Sequence, residues 1–279
     1  MGYLVNKSSR LLDSISSTRK TPKRTYAINS LFPLPPRSPT RRADAGSGSV
    51  PRLPPSITFS GCSWNLFYHL GVAKCVKSKY PNGTTFTCAG VSCGALMAYA
   101  LADGLDLGLM SDFMHEMLQD ASYRTNPMSP AGSMTKIVRG GLEKFMVEGA
   151  AVRCRGRLKV GVSEFKSLRG ERFINKVWSE WGSDSELVDC IMASCYVPVY
   201  YEEPTILDGK LCLDGGITDN LPEIPGYVRV CPYSKEAEIG NRRGKAIPSW
   251  SAILPGGKED MERLEGMGWE DAEAWFQNN

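Results

Sequence analysis

The sequence predicts an α/β domain built around a largely parallel sheet and preceded by an unpacked basic tail. Three observations lead there. From Ser56 onward, short apolar runs of strand length alternate with longer stretches of helical period. Glycine-containing turns twice join such a run to a helix-prone segment, at Gly61 and at Gly90 to Gly94. A hydrophobic content of 42% in 279 residues is enough for a substantial core without staples.

Residues 1–55 are rich in Ser, Thr, Arg and Pro, and their last part, "LFPLPPRSPTRRADAGSGSVPRLPPS", favours extended or flexible backbone. Two readings fit that composition equally: an organelle transit peptide or an ordinary disordered extension. The domain occupies 56–279. Its first strand is Ile57 to Phe59, followed by "SGCSWN" and a helix from Leu66 to Lys79, with Leu66, Leu70, Val72, Ala73 and Val76 on one buried face. Thr85 to Cys88 reads as the second strand, running into G-V-S-C-G and a helix from Ala95 to Ala102. Residues 111–150 alternate helix and loop, with breaks at Asn126-Pro127, Ser129-Pro130 and Gly140-Gly141, and suit a mobile cover over a site. Leu158 to Phe165 is a strand; Asp184 to Cys195 is a helix that Asp184 or Ser185 caps. Leu211 to Leu213 is a strand ending at Asp214, Tyr227 to Cys231 another, and one or two terminal helices divide near Gly266 and Gly268.

Composition narrows the function. Lys and Arg total 33 against 30 Asp and Glu, and the tail holds more than the whole excess, leaving the remainder net acidic: Lys7, Arg10, Arg19, Lys20, Lys23, Arg24, Arg37, Arg41, Arg42 and Arg52 against Asp13 and Asp44. Nothing there points to nucleic acid. The nine cysteines form no C-x-x-C pair and lie mostly in apolar stretches, as buried hydrophobes in a reducing compartment do. His69 and His115 have no Cys or His at ligand spacing, so no metal is expected. No apolar run reaches the ~18 residues of a membrane span; the longest, Gly94 to Met110, is broken by Asp103 and Asp106.

The chemistry centres on Ser92. A lone G-x-S-x-G is a weak signal, but a strand before it and a helix after it are the context in which the serine is held strained and exposed. The alternative is a tight turn whose small residues serve packing alone. With two histidines in the chain and none beyond Asp214, no familiar Ser-His-Asp order is available. A base for Ser92 is then a carboxylate, and the best placed is Asp214 in "LCLDGGITDNLP", at the end of a strand as Ser92 is. Its plainer reading is a turn former ahead of Gly215 and Gly216. Asp208, in "LDGK", is the lesser candidate. The loop Gly61-Cys62-Ser63 offers backbone N–H groups to an oxyanion, whereas a dinucleotide fingerprint would need a glycine where Ser63 stands. Cys93, beside Ser92, is either oxidation-sensitive or simply a small elbow residue.

These three stretches, in this order, resemble the patatin-like phospholipase family, in which a glycine-rich loop precedes the serine elbow and a D-G-G or D-G-A motif follows more than a hundred residues later. "SGCSWNLFYHLGVA" and "ASCYVPVYY…LDGGITDNLP" are most similar to its adiponutrin-type branch and to algal and protist relatives, and the likeness spans residues 57 to about 233. The resemblance implies a three-layer α/β/α fold with a mostly parallel central sheet, and a Ser-Asp dyad that hydrolyses lipid acyl esters without metal or other cofactor. By position, Ser92 becomes the nucleophile and Asp214 its base. Gly61, Cys62 and Ser63 form the oxyanion loop, Gly90 and Gly94 flank the elbow, and Gly215 and Gly216 complete the acid motif. The substrate implied is a glycerolipid (phospholipid, galactolipid or acylglycerol) met at a membrane or lipid-droplet surface. The cysteines and the lack of a long apolar run suit an intracellular soluble or peripheral protein, and on the transit-peptide reading of the tail its address is a plastid or mitochondrion. One departure is that Ser63 and Leu66 stand where the family commonly has glycine. A catalytically weak or silent lipid-binding protein on the same fold is the competing reading.

Overall fold

The computed structural model describes residues 54–119, 132–168, 172–241, 244, 247, 251 and 255–279. Every described residue lies within Ser49–Asn279. The readings of residues 1–53, and the breaks expected at Asn126-Pro127 and Ser129-Pro130, lie outside the described residues.

Eight strands form one sheet: β1 (Ser56–Phe59), β2 (Cys88–Val91), β3 (Leu158–Phe165), β4 (Phe173–Trp178), β5 (Thr205–Leu207), β6 (Lys210–Asp214), β7 (Tyr227–Cys231) and β8 (Ile239–Gly240). Their order is β5-β6-β3-β2-β1-β7-β8, with β4 also on β3. The centre, β3-β2-β1-β7-β8, is parallel; β4, β5 and β6 add antiparallel pairs. Helices α1 (Leu66–Ser78), α2 (Cys93–Ala102), α3 (Leu107–Gln119), α4 (Met134–Phe145), α5 (Ala150–Cys154), α6 (Asp184–Cys195) and α7 (Lys258–Asn278) cover both faces, giving the α/β/α layering. Coverage on both faces shows as burial at consecutive positions: Ile57, Thr58 and Phe59 are fully buried, as are Val162 and Ser163, although the buried Thr and Ser are polar.

Strand β3 sets the geometry of the site. Its first half pairs with β2, Gly161 opposite Val91, and its second half with β6, Val162 opposite Asp214. Because β4 lines the other side of the same residues, β2 and β6 share one side of β3 and run toward each other. Their ends meet. Asp214 therefore reaches the site from an antiparallel strand, not from a neighbouring parallel one as the sequence reading assumed.

Four local expectations change. β2 lies at Cys88–Val91 rather than 85–88, because the pairings Phe59–Gly90 and Val91–Gly161 carry it to the residue before Ser92. Gly140-Gly141 does not break α4. Helix α7 runs unbroken through Gly266 and Gly268, and Gly268 is there for close approach: a Cβ on it would sit 2.0 Å from the Tyr68 carbonyl oxygen, and one on Gly71 1.9 Å from that of Glu265. Helices α1 and α7 thus cross backbone to backbone. Finally, α6 is capped by Ser183, whose hydroxyl accepts from the Glu186 N–H at 3.2 Å, while Asp184 reaches back to accept from the N–H groups of Gly149 and Ala151 at the start of α5.

Candidate active site

Ser92 sits between β2 and α2 with φ 55° and ψ −136°, a left-handed conformation that costs a residue with a Cβ on the order of 1–3 kcal/mol. The turn is tight enough to exclude side chains on either side. A Cβ on Gly90 would meet the Gly94 carbonyl oxygen at 2.3 Å, and one on Gly94 would meet the carbonyl oxygens of Phe59 and Ser60 at 2.4 Å. The G-x-S-x-G spacing is therefore steric necessity where α2 leaves the sheet. A buried relay holds the strained residue: the Ser92 N–H donates to Ser194 Oγ at 2.8 Å, and that hydroxyl donates to the Gly161 carbonyl at 2.7 Å.

Across the gap, the Asp214 carboxylate accepts from the Gly216 N–H at 2.8 Å and lies beside the Ser92 hydroxyl, which helps to hold its charge. Burial lifts the Asp214 carboxyl above its ordinary pKa, and Ser92 and Gly216 offset part of that rise. Asp214 is 8% exposed. Gly215 lets β6 end against β3, since a Cβ there would lie 2.3 Å from the Gly161 carbonyl oxygen. Asp208, by contrast, lies in the exposed turn between β5 and β6, with Lys176 Nζ 3.8 Å away.

The third stretch also arrives at the site, on other terms. Gly61 donates its N–H to the Asn220 carbonyl at 3.1 Å, and Asn220 Nδ2 returns a bond to the Gly61 carbonyl at 3.1 Å. The Cys62 N–H donates to Cys93 Sγ at 3.1 Å, with the two sulfurs 3.3 Å apart. Two of the three expected oxyanion donors thus have internal partners. Ser63 is exposed, with φ 50°.

Neither histidine approaches the Ser92–Asp214 pair in its bonding. His69 is fully buried, its Nε2 on the Ser60 carbonyl at 2.9 Å and its ring edge-on to Phe59, and burial takes its pKa down to about 4. The His115 ring packs on Phe67. One convergence escaped the spacing argument: potential ligand atoms of Cys62, His69 and Cys93 lie within 4.8 Å of one another, and His69 Nδ1 is buried without a protein partner.

Above the pair opens a cavity of about 580 Å³, lined mostly by apolar side chains. Helix α4 presents Met134, Ile137, Val138, Leu142 and Phe145, a single helical face, and α3 adds Met110, Phe113 and Met114. The stretch expected to cover the site does supply its walls, as helices. Val197, Ile217 and Tyr233 line the cavity while 40%, 51% and 43% exposed, so its rim is apolar as well.

Sequence reasoning missed Ser194 and Asn220, the two polar anchors of the elbow and of the Gly61 loop. Ser194 carried a weak signal, a serine on the apolar face of "LVDCIMASC"; Asn220 follows the Asp-Gly-Gly motif within the same quoted stretch.

A strained serine on a strand-to-helix turn, facing a buried carboxylate at the floor of an apolar cavity, defines a class of serine–carboxylate sites on an α/β/α fold. Residues 57–226 match the patatin-like phospholipase family, and the chain belongs to that family. It is 35% identical over 192 residues to the rat patatin-like phospholipase domain-containing protein 2, an alignment covering 66% of this chain and 39% of the rat protein. It is 27% identical over 190 residues to a mouse 1-acylglycerol-3-phosphate O-acyltransferase, covering 66% and 45%, and 29% identical over 177 residues to a mouse omega-hydroxyceramide transacylase, covering 62% and 28%. The chain spans less than half the length of these relatives. Among solved structures it is similar to VipD of Legionella pneumophila, with a TM-score of 0.49, 14% identity, and coverage of 80% of this chain and 67% of that one. Among the described residues, no helix is long and apolar enough to cross a membrane.

Proposed function

We propose that the chain is a lipid acyl hydrolase that cleaves carboxylic esters of glycerolipids through Ser92 and Asp214. The observation that carries this reading is the placement of the strained Ser92 beside the buried Asp214, at consecutive positions of β3 and on the lining of one apolar cavity. Asp214 takes the hydroxyl proton as Ser92 Oγ attacks the ester carbonyl, and its raised pKa makes it a better base than a solvated aspartate. Negative charge develops on the carbonyl oxygen, toward the first turn of α2, whose N–H groups stabilise it, and the Cys62 N–H joins them when Cys93 Sγ turns aside. The tetrahedral intermediate collapses, Asp214 returns the proton to the leaving alcohol, and the acyl chain remains on Ser92 within the α3–α4 walls. Water, deprotonated by Asp214, then frees the acid. No step calls for a metal. An alcohol of a second lipid replacing that water would make the same site a transacylase; one of the relatives is named a transacylase and another an acyltransferase. The apolar rim suits contact with a membrane or droplet surface, where such substrates reside.

One observation favours the weaker reading, a lipid binder of low turnover: the Gly61 and Cys62 N–H groups are occupied by Asn220 and Cys93. A fluorophosphonate separates the two. Covalent labelling of the wild-type chain, lost in Ser92→Ala, supports the hydrolase; an unlabelled, folded wild-type chain that retains lipid would refute it.

A further inference from the structure

Nine cysteines lie buried as free thiols, and in most of them burial raises the pKa and leaves them inert. Burial pushes the Cys62 thiol up as well, and what sets Cys62 and Cys93 apart is their pairing. Their sulfurs are 3.3 Å apart, inside hydrogen-bonding range for a thiol pair. Both line the cavity, so a small reagent reaches them by the route a substrate would take. They also belong to different elements: Cys62 to the loop leaving β1, and Cys93 to the first turn of α2, immediately after Ser92.

The contact between them is specific. The Cys62 N–H, in the loop proposed to bind the oxyanion, donates to Cys93 Sγ at 3.1 Å. A free thiol can swing away about χ1 and release that N–H to a developing oxyanion; a sulfur held in a covalent bridge cannot. A metal reading of the same residues with His69 fits less well. Two thiolates on a tetrahedral zinc, at ~2.3 Å each, stand about 3.8 Å apart, whereas these sulfurs are closer.

We infer that Cys62 and Cys93 are a modification site, a dithiol that closes to a disulfide under hydroperoxide, and that closure holds the sulfur against the oxyanion loop and lowers turnover at Ser92. This rests on the hydrolase reading for its effect on turnover, but not for the bridge itself. The oxidant is a hydroperoxide. The Cys93 sulfur attacks the peroxide oxygen; the O–O bond breaks, the thiol proton leaves with the departing hydroxide as water, and a sulfenic acid forms. Cys62 sulfur attacks that sulfenyl sulfur, the S–S bond forms as the S–O bond breaks, and the departing hydroxide takes the Cys62 proton as water. Two electrons pass from the thiol pair to the peroxide. A dithiol reductant reverses the step by exchange.

The test uses the full chain, treated with hydrogen peroxide, then peptide-mapped without reduction and assayed for ester hydrolysis before and after dithiothreitol. The expected result is a Cys62–Cys93 cross-link, with activity and fluorophosphonate labelling of Ser92 falling at least about tenfold, toward the ~10²–10³ loss of one oxyanion donor, and returning on reduction. In Cys93→Ala the ratio of oxidised to reduced activity should stay near one. No cross-link at saturating peroxide would overturn the site, as would elemental analysis showing a tightly held metal that shields both thiols. A cross-link without loss of turnover overturns the gating. If the reduced chain hydrolyses no ester, the hydrolase reading falls, and the peptide map still decides the bridge.

Discussion

Two serines of this chain, Ser63 and Ser92, each follow a parallel strand, precede a helix and hold a left-handed backbone, with φ of 50° and 55°. Positive φ is common to both. Ser92 has a buried carboxylate beside its hydroxyl and a relay through Ser194 on its N–H; Ser63 is exposed at the cavity wall, and its loop is tied to Asn220 and Cys93 instead. Backbone strain by itself does not make a nucleophile. What separates the two is the arrival of β6, which delivers Asp214 to one turn and not the other.

The sharpest way to break this comparison is Ser92→Ala. Ester hydrolysis should fall by at least about 10⁴-fold while circular dichroism stays native; retained turnover would mean that another residue carries the chemistry. Asp214→Asn should cost roughly 10²–10⁴ in kcat, since an amide cannot take the proton. It should not lower the melting temperature at neutral pH, because burial disfavours the charged carboxylate that the substitution removes. The sign for pH follows. A carboxyl with a raised folded-state pKa is protonated at higher pH than a free aspartate, so kcat/KM should fall with acidification above ~3.9, and that acid limb should vanish from the residual activity of Asp214→Asn.

His69 tests the part of the site that looks catalytic and is not assigned a role. His69→Gln should keep most of the activity, and chelators should have little effect. Stability is where His69 shows itself. Its pKa is about 4 folded against 6.5 ordinarily, so the unfolded chain binds the extra proton between those values and stability falls as pH drops through them. The loss is on the order of 3 kcal/mol, and urea titrations across that window should show a flatter dependence in the variant. The smallest effect belongs to the other serine. Ser63→Gly relieves a left-handed Cβ and should add roughly 0.5–1 kcal/mol, with little change in turnover; a large loss would give the Ser63 side chain a role that the comparison denies it.

The serine, the acid and the loop were legible in the sequence because each is a local event: a strand end, a glycine-bounded turn, a helix start. The antiparallel entry of β6 was not, since nothing in "KLCLDGG" encodes direction relative to β3. Strand β5 and the two-residue β8 are too short to carry a period, and β4 alternates half-buried and exposed residues at the side of the sheet. The glycines of α7 read as breaks because a helix crossing at backbone contact and a helix ending both call for glycine. Cys62 and Cys93 stand 31 residues apart, and only the packing of α2 over β1 brings them together.

The register of β3 also fixes what insertions the molecule tolerates. Ser92 follows the residue paired with Gly161, and Asp214 is paired with Val162, so consecutive positions of a third strand hold the two side chains together across the long stretch of chain between them. Loops between those anchors can lengthen, shorten or be exchanged, and the reach from hydroxyl to carboxylate stays the same. A single residue inserted between Gly161 and Val162 would do what a whole added helix elsewhere would not: slide one partner past the other and turn its side chain to the opposite face of the sheet.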